Sequence, residues 1–193
     1  MKKIIFAVLI LAVLLVGLML LLGRCGYDVR GHKIYDSLDD YDKAFELSGI
    51  KNLEDSRAFF PEDIEELSTQ SFYCEWELGA IGDADVEMCL SVQYGESGLQ
   101  DEIERLLEYA DSKVVYDPVS FKYPAYVLTL GYDGASWYAL VDNQNMVVHY
   151  IMLQLIDVDR IDINKDFLPE GYYDFGYVKN QSYSAFESEE TEK

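Results

Sequence analysis

Basic residues are scarce in this chain beyond Lys33. Of its 15 Lys and Arg, five lie at or before that position, beside one of the 36 Asp and Glu; the rest of the chain carries 10 against 35, a formal charge of −25. Binding to nucleic acid needs clustered cationic side chains on phosphate, so that class of partner is excluded. Anionic lipid or polymer is disfavoured for the same reason. Basic proteins, basic peptides and metal ions are the electrostatically matched partners. Catalytic signatures are also missing. There is no glycine-rich phosphate loop, no H-E-x-x-H and no G-x-S-x-G. The three cysteines, Cys25, Cys74 and Cys89, lack metal-ligand spacing. Carboxylates this numerous meet by accident, so their proximity says little about acid–base chemistry. The domain is read as non-enzymatic; a hydrolase would require a pocket carboxylate with a strongly raised pKa.

One long apolar run is present. It extends without a charge from Ile4 to Leu22, after Lys2 and Lys3. At about 1.5 Å per residue a helix of that length crosses a hydrocarbon core of roughly 30 Å. A cleaved secretory signal has a shorter core and a small-residue processing site, and Arg24 stands immediately before Cys25 where a lipoprotein leader would carry a small residue. Residues 1–24 are therefore read as an uncleaved anchor, or signal, of the bacterial export type. The domain is placed outside the cytoplasm, attached to the cell membrane by a single pass through residues 4–22. Residues 25–34 read as a polar linker, 35–177 as one α+β domain, and 178–193 as a disordered acidic tail.

Within the domain the expected order is α-α-β-β-α-β-β-β, with helices packed on one face of a largely antiparallel sheet. Ser37 is a candidate N-cap, Gly49 a C-cap, and Leu38, Tyr41, Ala44 and Phe45 share one helical face. A second helix is expected to start at Pro61. In the third, Ser97 and Gln100 have capping-box spacing; Leu99, Ile103, Leu106, Leu107 and Ala110 form the apolar stripe, while Asp101, Glu102, Glu104, Arg105 and Glu108 face away. A two-residue turn at Asp133-Gly134 would pair Leu130 with Trp137, Leu128 with Ala139 and Tyr126 with Val141. A second turn centred on Asn143-Gln144 would put Met146, Val148 and Tyr150 on the same face. His149 would then lie opposite Tyr138.

The stretch from Phe72 to Tyr94 is the most informative. In a strand, alternate residues share a face. Matching apolar to apolar opposes Trp76 to Val86 and Cys74 to Met88, which sends Cys89 to the other side, beside Tyr73 or Glu75. A Cys74–Cys89 disulfide would need a one-residue slip or a bulge, so the cysteines are read as separate. The same register gathers Glu75, Glu77, Asp85 and Glu87 on the outward face as two like-charged pairs, each destabilising by up to about 1 kcal/mol. A sequence that accepts this gains if a basic partner, or weakly a calcium ion, sits there. The acidic run from Asp157 to Asp166 is not a calcium loop. Counted from Asp157, the sixth and twelfth positions hold Asp162 and Leu168; counted from Asp162, they hold Phe167 and Tyr173. Finally, Tyr172, Tyr173, Phe175 and Tyr177 crowd together near the end and form a candidate aromatic surface for a sugar or peptide.

The function these features describe is a membrane-anchored, extracytoplasmic binding domain. The alternative is an accessory subunit of a membrane complex in which the domain is a spacer.

Overall fold

The computed structural model describes residues 31–51, 53–62, 64, 67–79, 82–109, 121–132, 134–173 and 177–178. The apolar run, Cys25, Ala110, Phe175 and residues 179–193 lie outside this set. No helix among the described residues is long and apolar enough to cross a membrane.

One α+β domain is built on a six-stranded sheet in which every neighbouring pair is antiparallel. Strand β1 is His32–Tyr35, β2 Ser68–Leu78, β3 Ala84–Gln93, β4 Ala125–Tyr132, β5 Ala135–Asp142 and β6 Val147–Gln154. Their spatial order is β1-β2-β3-β6-β5-β4. Helix α1 (Tyr41–Ala44) follows a 3-10 turn, α2 is Leu53–Phe59, and α3 (Glu96–Tyr109) leads the chain from the centre of the sheet to its far edge. Two short strands, β7 (Tyr172–Tyr173) and β8 (Tyr177–Val178), pair separately.

The helices cover one face. There Cys74, Trp76, Met88, Leu90, Trp137, Tyr150 and Met152 pack against Tyr41, Phe45, Phe59, Phe60 and Leu106. Several buried polar groups here find partners, although the Trp137 indole N–H does not. The Tyr41 hydroxyl donates to the Pro61 carbonyl at 2.7 Å. The Trp76 indole N–H donates to the Ser48 carbonyl at 2.9 Å. Fully buried Gln154 donates to the Gly49 and Ala84 carbonyls and accepts from the Lys51 N–H, which ties the loop after α1 to the sheet. Gly49 takes a φ of +80°, and a Cβ there would meet the Gly82 carbonyl oxygen at 2.7 Å, so this connection needs glycine.

Several local expectations are corrected. Residues 32–34, read as linker, belong to β1, which extends the sheet to the end of the acidic hairpin. A helix, α2, ends before Pro61; proline disfavours helix in the residue it follows, and the last helical turn closes with the Phe60 N–H on the Ser56 carbonyl, while beyond Pro61 Ile64 is 3-10 helical and Asp63, Glu65 and Glu66 lie outside the described residues. Ser37 does cap a helical turn, accepting from the Asp39 N–H, but Leu38 is exposed. Helix α3 begins at Glu96, so Ser97 lies within it and the capping box is not used.

In the meander, the two-residue turn is present, with Tyr132 opposite Ala135, but β4 carries two irregularities. Gly131, at φ +70° and donating its N–H to the Ser136 hydroxyl, lies in the one between Thr129 and Tyr132. The observed pairs are Thr129 with Trp137, Val127 with Tyr138 and Tyr126 with Ala139. Leu130 is thereby turned to the opposite face from Trp137, where it packs with Tyr138 and Leu140. Bulges on an edge strand blunt it against further pairing. The β5–β6 turn is longer than expected, pairing Asp142 with Val147. The register moves by an even step, which keeps every side chain on its expected face, except that Met146 becomes an exposed turn residue at φ +55°. His149 then lies opposite Leu140, with Tyr138 opposite Ile151.

Candidate functional site

The hairpin register is the one the alternation requires: Cys74 opposes Met88, Trp76 opposes Val86, and Cys89 opposes Tyr73. Cys74 and Cys89 are buried free thiols on opposite faces of the sheet. Glu75 opposes Glu87 and Glu77 opposes Asp85, so the four carboxylates do share a face. That face is not open. The chain after β6 crosses it through two 3-10 turns, Val158–Arg160 and Lys165–Phe167, and this strap buries Ile156, Ile161, Ile163 and Tyr172 against Cys89, Tyr138, Leu140, Ile151 and Leu153.

Each hairpin acid is engaged by the protein itself. Glu87 is fully buried, and its two oxygens accept the backbone N–H groups of Asp162 at 3.0 Å and Ile163 at 2.6 Å. Burial raises its pKa against the opposing effect of those two donors. Arg160 forks between Asp85 at 2.8 Å and Glu77 at 2.9 Å. Burial raises the Asp85 pKa despite that guanidinium. Glu75 sits 2.8 Å from His32 Nε2 and accepts the Tyr73 hydroxyl at 2.8 Å, and the His32 contact first of all holds its carboxyl below the usual range. The cost of crowding like charges is thus offset inside the chain, by a clasp on the strap and by β1. Among the described residues no group of three or more His, Cys, Asp or Glu is arranged to hold a metal ion. Glu75, Glu77, Asp85 and Glu87 thus each have partners within the chain itself.

The tyrosine-rich surface changes too. Tyr172 is buried in the core beneath the strap and only Tyr173 is exposed; Phe175 and the Tyr177 side chain lie outside the described residues.

Beside the acidic clasp, strap and sheet leave a groove of about 400 Å³. Its floor comes from Ser71 and Tyr73 of β2, Cys89 and Ser91 of β3, and His149 of β6; its wall is Asp162 to Asn164 and Phe167. Parity explains the grouping, because Ser91 opposes both Ser71 and His149 in the ladder. The Ser91 hydroxyl is 2.8 Å from His149 Nδ1. The imidazole stacks on Phe167 with ring centres 4.2 Å apart, and Tyr123 packs at their edge. Burial lowers the His149 pKa, so the ring is neutral at pH 7. Burial pushes the Cys89 thiol up to about 12, which leaves it protonated and inert. Ser91 sits mid-strand between two hydrogen-bonded neighbours, so the backbone N–H groups around it lie in the ladder and do not point at a reacting carbonyl. The arrangement presents aromatic faces, hydroxyls and one exposed carboxylate, Asp162, around an uncharged histidine.

A second polar cluster lies on the helix face. Glu102 is buried, pairs with Arg105 at 2.6 Å and accepts the Tyr150 hydroxyl at 2.6 Å; the Tyr94 and Tyr150 hydroxyls are 2.7 Å apart. Arg105 also donates to the Ala58 and Phe59 carbonyls at the end of α2. A cavity of about 420 Å³ opens beside Arg105. This inward Glu102 corrects the outward assignment. A signal for it exists in the sequence: Leu99, Glu102 and Leu106 follow the i, i+3, i+7 spacing of one helical face.

Comparison with protein-family models, with curated proteins and with solved structures finds no match to this chain.

Proposed function

We propose that this is a single-pass, membrane-anchored protein whose acidic α+β domain stands outside the cytoplasm and acts by binding a basic protein or peptide. The observation that carries the reading is the groove beside the strap, a preformed concavity with ring faces, hydroxyls and a rim carboxylate in a strongly anionic domain. Binding rather than catalysis is favoured by its chemistry. The thiol is held protonated, and the Ser91–His149 pair lies on a flat ladder without convergent oxyanion donors. Membrane attachment rests on the apolar run from Ile4 to Leu22. The accessory-subunit reading draws on Ile34, exposed on edge strand β1, the described strand nearest in sequence to that run.

Two measurements test this. A C-terminal alkaline phosphatase fusion should be active, since that enzyme works only outside the cytoplasm; an inactive fusion at normal expression refutes the topology. Full-length chain in nanodiscs should retain a polylysine peptide and release it as salt rises, while ignoring polyglutamate. Equal retention of the two refutes the binding reading and leaves the spacer role.

A further inference from the structure

We infer that the groove between the strap and the sheet receives the side chain of a lysine or arginine from that partner, its apolar stem against Phe167 and its charge between Asp162 and the Tyr73 ring. The inference rests on the reading of the domain as a binder of basic peptides and gives that reading an address.

Four features converge on a cation. Three rings, Tyr73, His149 and Phe167, line one concavity, and aromatic faces attract ammonium and guanidinium groups. The Tyr73 hydroxyl donates to Glu75, which places a carboxylate at the hydroxyl end of that ring and makes the ring more electron-rich. Asp162 is exposed at the rim and takes no part in the ion pairs among the described residues. The neighbouring cations are spent or turned aside: Arg160 is held by Glu77 and Asp85, Lys122 pairs with Asp166, and Lys165 does not line the groove. His149 adds no positive charge, because burial keeps it neutral. An anionic ligand would meet Asp162 and, behind the wall, Glu75 and Glu87. The same face of the sheet already binds one guanidinium, that of Arg160, a short way along the hairpin.

The chain has two histidines, His32 and His149, so its histidine-ring NMR spectrum carries one reporter in the groove and one control on β1. Full-length protein in nanodiscs is titrated with Nα-acetyl-lysine methylamide, then with the norleucine and glutamate analogues and with maltose. The expected result is a saturable shift of His149 with the lysine probe, a much smaller response to uncharged norleucine, none to glutamate, and His32 unmoved. Asp162→Asn, at an exposed position that leaves folding intact, should weaken the lysine probe about three- to fivefold. Phe167→Leu should weaken it about three- to tenfold. Norleucine matching lysine, maltose moving His149 in its place, or no shift at millimolar probe each overturns the inference. Polylysine retained equally by both variants and wild type would keep the binding reading and discard this groove as its site.

Discussion

Glu87 decides whether the strap is part of the fold or merely lies on it. Its carboxylate is fully buried and is the acceptor for two strap N–H groups. Glu87→Ala removes both acceptors. The Ile163 N–H is buried and would be orphaned, at about 1–3 kcal/mol. The Asp162 N–H belongs to an exposed residue and can recover water, so it adds about 0.5–1 kcal/mol. The sum, about 2–4 kcal/mol, corresponds to roughly 4–16 °C in melting temperature for a protein of this size. Glu87→Gln keeps one acceptor and removes the charge whose burial raises the pKa, so it should cost clearly less than alanine.

The two variants also separate on a pH axis. A carboxylate whose folded pKa exceeds its unfolded value binds more protons when folded, so its contribution to stability falls as pH rises through that window. Acidification from pH 7 towards the unfolded value of 4.5 should therefore stabilise wild type more than Glu87→Gln. The difference between the two curves is the quantity to read, since relief of net negative charge stabilises both alike. Thermal melts from pH 7 to 4.5, with amide exchange at Asp162 and Ile163, make the assay. A Glu87→Ala protein that melts together with wild type, with unchanged exchange at Ile163, would refute the anchoring role.

Arg160→Ala, by contrast, removes an exposed fork to two acids and should cost no more than about 1 kcal/mol in urea unfolding, fading further in high salt. Glu102→Ala strips the partner from half-buried Arg105 and the acceptor from the Tyr150 hydroxyl, and should cost about 2–4 kcal/mol by the same measurement. Met146→Gly replaces an exposed side chain at positive φ in the β5–β6 turn and should leave stability unchanged or raise it by up to about 1 kcal/mol. Alkylation under native conditions should spare Cys74 and Cys89, and both should react after denaturation without prior reduction.

The hairpin is legible in the sequence because strand parity is a strict rule. Once Trp76 and Cys74 are turned inward, Glu75, Glu77, Cys89 and Glu87 have no freedom of face. The same rule fails at Leu130 in β4 because one extra residue between Thr129 and Tyr132 reverses it before a second, between Val127 and Thr129, restores it, and the lone Gly131 in an apolar strand is the local sign. Glu102 defeats a reading by residue type because its charge argues for solvent while its position argues for the core. It stands on the Leu99–Leu106 face, and only Arg105 and Tyr150, from α3 and β6, show how that charge is accommodated.

Composition and periodicity settle the local features: the acidic balance, the helix-length apolar run, the α+β order, and which hairpin residues share a face. They can do so because repeats of two and 3.6 are enforced by neighbours along the chain. The use of that acidic face is a matter of the fold alone. Arg160 and the N–H groups of Asp162 and Ile163 reach it from the segment after β6, with three strands and a helix intervening in the sequence. No local pattern couples positions so far apart, so nothing in the hairpin itself shows that Glu77, Asp85 and Glu87 hold the strap, and the groove beside them exists only because the strap is there.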